Sequence, residues 1–205
     1  MTKLILVRHG HVEGISPERF RGRADLMLTA EGRRQAAATA RRIQQSWMPV
    51  AVYSSPLSRC RATAEAIATP FDLSPAVLEG LIDIDYGEWQ GLTPDEVRGR
   101  WPDRLRTWYG APHWAVVPGG ETLQQVLSRA VSVSHEMIGR HPSDTVVAIG
   151  HDSVNRVILL HALDLPLSRY WRLGQDPCAI NEIEFSSDAF TVRSMNETYH
   201  LREGG

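Results

Sequence analysis

The apolar positions of this chain fall into a few short solid runs separated by longer periodic stretches. Leu4-Ile5-Leu6-Val7, Val50 to Tyr53 and Thr145 to Ile149 are compact apolar runs, the pattern of strands buried on both faces. After Thr29, a suitable N-cap, Ala36, Ala40, Ile43 and Trp47 recur at helical spacing, and Pro49 marks the exit. Leu57, Ala64 and Ile67 predict a second helix that ends before Pro70. A long helix is expected from Thr122, with Leu123, Leu127, Ala130, Met137 and Ile138 on one side. Val154, Val157, Ile158 and Ala162 line another, directly after the third apolar run. Ile180 to Phe185 and Phe190 to Met195 read as an antiparallel pair turned by Ser186-Ser187-Asp188.

Between residues 80 and 118 the regular pattern breaks. The stretch is rich in Trp, Pro and Gly, and only short helices are predicted, around Thr93 to Trp101 and Arg104 to Tyr109. It reads as a cap-like insertion covering a site, within a single domain of residues 1–205. Strands alternating with helices predict an α/β sheet covered on both faces. Ligands of such sheets bind beyond the carboxyl ends of the strands. That directs attention to Arg8-His9-Gly10, Ser54-Ser55-Pro56 and Gly150-His151-Asp152.

Composition narrows the function classes. With 205 residues, 42% hydrophobic and 22% charged, the chain can bury a sizeable core as a soluble domain. A formal net charge of -2 argues against a general nucleic-acid surface. Lys3 is the only lysine, so arginine carries nearly all the positive charge. Genome codon bias accounts for that; arginine gains functional weight only where it flanks the histidines. Cys60 and Cys178 form no CxxC pair, and Cys60 is expected as a small buried thiol. The apolar run at Leu4 to Val7 is too short for a signal peptide or a membrane span, as is every later one, so a cytoplasmic location is expected.

The strand ends deliver Arg8 with His9, then Arg59 in the first turn of the following helix, then His151. Two imidazoles and two guanidiniums in one crevice suit attack on phosphorus. A neutral imidazole is a competent nucleophile near neutral pH, with an ordinary pKa of about 6.5. Phosphoryl transfer depends chiefly on positioning and charge stabilisation. Arg8 and Arg59 could each grip phosphate oxygens through two parallel hydrogen bonds, and a protonated His151 would add a third positive donor.

The ordered set Leu4-Ile5-Leu6-Val7-Arg8-His9-Gly10, Arg19-Phe20-Arg21-Gly22 with Asp25 and Leu28-Thr29, Ser54-Ser55-Pro56-Leu57-Ser58-Arg59 with Thr63-Ala64, Asp83-Ile84-Asp85-Tyr86-Gly87-Glu88-Trp89-Gln90-Gly91, Pro118-Gly119-Gly120-Glu121-Thr122 and Gly150-His151 resembles the histidine phosphatase superfamily, the phosphoglycerate mutase-like group. Arg-His-Gly alone is a weak signal, whereas the series spans nearly the whole chain. The resemblance implies a three-layer αβα sandwich on a mostly parallel central sheet. It implies that His9 becomes a phosphohistidine, with Arg8, Arg59 and His151 forming the phosphate pocket and Arg21 with Gly22 beside it. The family's proton donor, usually glutamate, falls at Asp83, and no cofactor or metal is needed.

Two departures matter. Asp83 is one methylene short, with Asp85 and Glu88 as nearby substitutes, and Asp152 follows His151 where glycine is common. Asp152 is the second candidate for the donor, since a His-Asp pair serves that role in the acid phosphatase and phytase branch. A metal site on His9-x-His11 is a rival reading, opposed by the adjacent Arg8. His113, His135, His141, His161 and His200 belong to no constellation and are expected to be structural. The reading that results is a phosphomonoester hydrolase acting on small phosphorylated metabolites. A 2,3-bisphosphoglycerate-dependent mutase and an inert phosphate-ligand-binding module are the alternatives. The expected partner is a small phosphate ester, with neither nucleic acid nor membrane; the carboxyl-terminal segment beginning Arg169-Tyr170-Trp171 is a candidate homodimer edge. Trp89, Trp101, Trp108, Tyr109 and Trp114 are expected either to stack on substrate or to anchor the cap.

Overall fold

The computed structural model describes residues 1–186 and 189–202. Its centre is a six-stranded sheet built from Thr2–Arg8 (β1), Pro49–Ser54 (β2), Ala76–Val77 (β3), Thr145–Gly150 (β4), Ile180–Ser186 (β5) and Ala189–Glu197 (β6), in the order β3-β2-β4-β1-β5-β6. The pairs β1–β4, β2–β4 and β2–β3 are parallel; β5 runs antiparallel to β1, and β6 antiparallel to β5. The sheet is therefore mostly parallel, with a hairpin closing one edge. Ser187 and Asp188 of the expected turn lie outside the described residues.

Alternate residues of β1 serve opposite layers. Ile5 and Val7 pack with Ala40 and Ile43 of α1 (Ala30–Ser46) and Ala64 and Ile67 of α2 (Ser58–Ala68). Leu4 and Leu6 face the other way, into a cluster with Val126 and Met137 of α5 (Leu123–Arg140) and Val154 and Ile158 of α6 (Asp152–Ala162). Two apolar faces are why the strand reads as a solid run.

Caps fall where the sequence places them. Thr29 Oγ1 accepts from the Gly32 amide, and Thr122 forms a reciprocal capping box with Gln125. Pro49 differs from expectation: it opens β2, a position where its missing N–H costs no interior ladder bond. The two-residue β3 was not expected, because two exposed residues have no periodicity to display.

The 80–118 stretch carries α3 (Pro94–Arg100), capped by Thr93 and Glu96, and α4 (Pro102–Gly110). Trp89, Val97, Trp108 and Val117 are buried in the same cluster as Leu4 and Leu6. Trp89 and Trp108 are thus anchors, while Trp114 is 73% exposed. The base of the stretch is cinched by Glu88 N–H donating to Pro118 O at 2.9 Å and Glu121 N–H donating to Asp85 O at 2.9 Å. Gly87, at φ +44°, lies so close to the returning chain that a Cβ would fall 2.2 Å from Pro118 O. Tyr170 and Trp171, at the start of the segment named as a candidate dimer edge, pack inward. Tyr170 is fully buried, and Trp171 Nε1 donates to Trp108 O at 2.7 Å, bracing α4. Among the described residues no helix is long and apolar enough to cross a membrane.

Candidate active site

β1 and β4 pair in register with Arg8 opposite Gly150, so the next residue of each strand, His9 and His151, leaves the sheet side by side. The His9 amide donates to Gly150 O at 3.1 Å, adding one more rung. The ring centroids lie 5.2 Å apart, close to the spacing of about 4.8 Å between neighbouring strands. The first turn of α2 brings in Arg59, and the loop after β3 brings in Asp83.

The two nitrogens of His9 have different partners. Nδ1 lies 2.7 Å from Gly10 O, a pure acceptor, so Nδ1 carries the proton. Nε2 lies 3.2 Å from Arg59 Nε, a pure donor, so Nε2 holds the lone pair. Burial, followed by the charges of His151, Arg59 and Arg8, pushes the His9 pKa well below 6.5. The ring is a neutral base aimed at a cluster of cations.

Arg59 is fully enclosed. Nη1 donates to Ala24 O at 2.7 Å, and Nη2 donates to Gly22 O at 2.7 Å and to Asp83 Oδ2 at 3.0 Å. Its fork is therefore less open than a two-bond phosphate grip requires; the edge offered to His9 is Nε–H. Gly22 (φ +47°) permits this loop, since a Cβ there would lie 2.9 Å from Ile84 O. Asp25 closes the loop on the helix, accepting from Ser58 N–H at 2.8 Å and Ser58 Oγ at 2.7 Å. Arg8 donates through Nη1 to Gln175 O, while its buried Nε has no partner among the described residues.

His151 is fully buried between Ser55 Oγ (2.8 Å from Nε2), Cys60 Sγ (3.4 Å from Nε2) and Asp83 Oδ2 (3.5 Å from Nδ1). Burial first, then Arg59 and Arg8, lowers its pKa well below 6.5, so the ring is neutral rather than a standing cation. A phosphate dianion beside it would favour the protonated form. Cys60 and Cys178 are free buried thiols.

The carboxylates separate in character. Asp83 Oδ1 accepts from Ser153 Oγ at 2.5 Å and from the Ile84 amide at 2.9 Å. Burial raises its pKa despite the opposing pull of Arg59. Asp152 is held well below the usual carboxylate range: burial pushes it up, but Arg8, Arg156 and Arg21 prevail. Of two acids near one pocket, Asp83 is the one inclined to keep a proton. The substitutes point elsewhere. Glu88 is exposed, and Asp85 accepts from Gly87 N–H at 2.8 Å and pairs with Arg23 at 3.4 Å. His11 Nδ1 bonds Thr29 Oγ1 at 3.0 Å, and among the described residues no group of three or more His, Cys, Asp or Glu could hold a metal ion.

Arg21 donates to Gly14 O at 2.6 Å and, with Gly22, Asp83 and Asp152, lines a cleft of about 100 Å³ bounded by Tyr86, Trp108, Arg156 and Trp171. Ser55 lies at a strand end that the sequence singled out; three further contributors were missed by sequence reasoning: Ser153, Arg156 and Gln175. Ser153 and Arg156 lie two and five residues past His151, within reach of the strand-end argument; the Gln175 carbonyl gave no signal.

The family model described as "Histidine phosphatase superfamily (branch 1)" matches residues 4–198. Phosphoserine phosphatase 1 of Hydrogenobacter thermophilus is 34% identical over 203 residues, covering 99% of this chain and 96% of that protein. Among solved structures, Bacillus stearothermophilus YhfR superposes with a TM-score of 0.93 at 28% identity, over 98% of this chain and 100% of the other. A phosphoserine phosphatase mutant from Entamoeba histolytica, in complex with phosphoserine, gives 0.89 at 26% identity, over 98% and 100% of the two chains. The matched span runs from β1 into the residue after β6 and includes the whole His9, Arg59, Asp83 and His151 cluster, so the chain belongs to the histidine phosphatase superfamily, branch 1.

Proposed function

We propose that the protein is a phosphatase of small phosphomonoesters that carries the phosphoryl group on His9. The observation behind this is the buried neutral imidazole whose Nδ1–H is tied to Gly10 O while Nε2 faces Arg59. The Nε2 lone pair attacks phosphorus as the ester P–O bond breaks, and protonated Asp83 gives its proton to the departing alkoxide. Asp83, now a carboxylate, takes a proton from water; the water oxygen bonds to phosphorus, the N–P bond breaks, and neutral His9 returns. Arg8 and Arg59 carry the charge spread over the phosphoryl oxygens, Arg59 turning its Nε–H from His9 to the phosphate as the N–P bond forms. His151, taking a proton from solvent as the charge of the arriving dianion raises its pKa, is the third donor. Gly22 holds Arg59 in place, and Arg21 and Asp152 border the non-phosphate part of the substrate, beneath the cap of residues 80–118.

Relatives named as phosphoserine phosphatases make O-phosphoserine the first substrate to test. Turnover of a ³²P-labelled ester, quenched in alkali, is expected to leave acid-labile, base-stable label on wild type and none on His9→Ala. Unlabelled wild-type protein during active turnover would end the proposal. Rapid 2-phosphoglycerate formation from 3-phosphoglycerate and 2,3-bisphosphoglycerate, without free phosphate, would replace hydrolysis by mutase action.

A further inference from the structure

We propose that Asp152 selects phosphomonoesters bearing an ammonium group a few bonds from the ester oxygen, as in amino-acid and amino-alcohol phosphates. The inference rests on the phosphatase reading above and narrows it.

Asp152 is the first residue of α6, directly after His151, and its side chain lines the cleft beside the phosphate-handling cluster. It is 26% exposed and makes no hydrogen bond to the described residues; its one close charged contact is Arg156 Nη1, 3.3 Å from Oδ2. Arg156 does not depend on that contact for its placement. Its Nε donates to Leu173 O at 2.8 Å, and its guanidinium carbon lies 5.1 Å and 5.0 Å from the ring centres of Tyr170 and Trp171.

A carboxylate offers about four lone-pair sites, and Asp152, which lines the cleft, spends none of them on a hydrogen bond to the described residues. Arg8, Arg156 and Arg21 keep it ionised. The cleft is also lined by Arg19, Arg21 and Arg156, which suit the anionic groups of an ester, and Asp152 is where a cation on the substrate would be answered. An ammonium, with three donors and no acceptor, matches those free oxygens. The cleft measures about 100 Å³, the space of roughly three water molecules, so the cation must sit on a short chain. Arg21, which spends one Nη on Gly14 O, borders the same cleft and suits a carboxylate on the same carbon.

The test compares kcat/KM for O-phosphoserine with that for 3-phosphoglycerate, in which a hydroxyl replaces the ammonium. A hydrogen bond to a charged group corresponds to a preference of about 10- to 100-fold for phosphoserine in wild type. Asp152→Asn and Asp152→Gly are expected to bring that ratio to near one. A wild-type ratio near one, which needs no variant to fold, would overturn the inference, as would an Asn variant that lowers both constants equally. If p-nitrophenyl phosphate is hydrolysed with label on His9 while phosphoserine is not preferred, the phosphatase reading stands and only the selectivity falls. If no ester is hydrolysed, both fall.

Discussion

The Asp83→Asn variant is expected to lose most of its activity on alkyl phosphates while keeping its stability. The amide matches the carboxyl in size and leaves an oxygen for Ser153 Oγ and the Ile84 amide, but it has no proton to give, and its Nδ2 then faces Arg59 Nη2, a second donor. General acid catalysis contributes about 10²–10⁴ in rate, or roughly 3–5 kcal/mol of barrier. A p-nitrophenolate departs without a proton, so with that ester the loss in the phosphorylation step should stay below about tenfold. For stability, two effects compete. Arg59 Nη2 and Asp83 Oδ2 are 3.0 Å apart, and at an effective dielectric of ~20 unit charges at that distance attract by about 5.5 kcal/mol. Yet the pKa of Asp83 is raised, so burial outweighs that attraction. A carboxyl whose pKa is higher folded than unfolded adds stability below its unfolded value, about 3.9, and forfeits it as pH climbs through the folded value. Ionisation of Asp83 therefore costs stability at pH 7; the amide removes that cost but leaves Arg59 Nη2 facing another donor, and the two changes offset. The Tm of the variant at pH 7 should lie within about 4 °C of wild type, and the comparison should turn against the variant toward pH 4, where the neutral carboxyl of wild type no longer carries the cost. Thermal melts at the two pH values, with kcat/KM on O-phosphoserine and p-nitrophenyl phosphate, which reports the phosphorylation step and not the attack of water, test both halves. A Tm at pH 7 lower by more than about 4 °C, equivalent to 1–2 kcal/mol in a chain of this size, would refute the balance. Equal losses on the two esters would refute the acid role.

Arg59→Lys should leave the Gly22 and Ala24 carbonyls unpartnered, at about 1–3 kcal/mol each, and a Tm drop of at least ~5 °C should accompany a large loss of kcat/KM; an unchanged melt would show the loop does not depend on the guanidinium. The lowered pKa values of His9 and His151 mean that each contributes stability above 6.5 and loses it as pH falls through its depressed folded value, so Tm should decline on acidification below 6.5; a flat Tm from pH 6.5 to 4 would contradict their burial as neutral rings. Gly87→Ala introduces both a positive-φ side chain and a clash with Pro118 O, and limited proteolysis should cut residues 80–118 faster than in wild type. Exhaustive chelation should leave the rate unchanged, while a loss restored by zinc would revive the reading that joins His9 to His11.

The sheet was legible because its central strands are buried on both faces and so appear as uninterrupted apolar runs, and because Thr29, Thr93 and Thr122 cap helices by local chemistry. The cluster was legible for a related reason: strands of known direction end at known residues, so His9 and His151 had to emerge at the same edge. What stayed hidden depends on long-range packing. The engagement of Arg59 with two backbone carbonyls, the Ser153 hydroxyl that fixes a shortened Asp83, and the Gln175 carbonyl facing Arg8 involve loops whose course no periodicity records. The lowered pKa of His151 in the free protein was not legible either, because neighbouring guanidiniums and exclusion of water act through space; sequence order says nothing about either. The inward turn of Tyr170 and Trp171 was missed because an aromatic pair reads the same whether it meets another subunit or the chain's own α4.

The in-register pairing of β1 with β4 has an implication for how such an enzyme can change. The gap between the nucleophile and its imidazole neighbour is inherited from main-chain ladder geometry, so substitutions in distant loops leave it alone. The spacing of the two rings does not depend on residues 11–25 or 86–118, although Gly22 and Ala24 there still position Arg59, whereas a single-residue insertion within 4–8 or 145–150 would throw the rings out of alignment. Laboratory selection for new substrates should accordingly yield its successful variants among the residues that line the cleft from those two stretches, with the paired strands returning almost none.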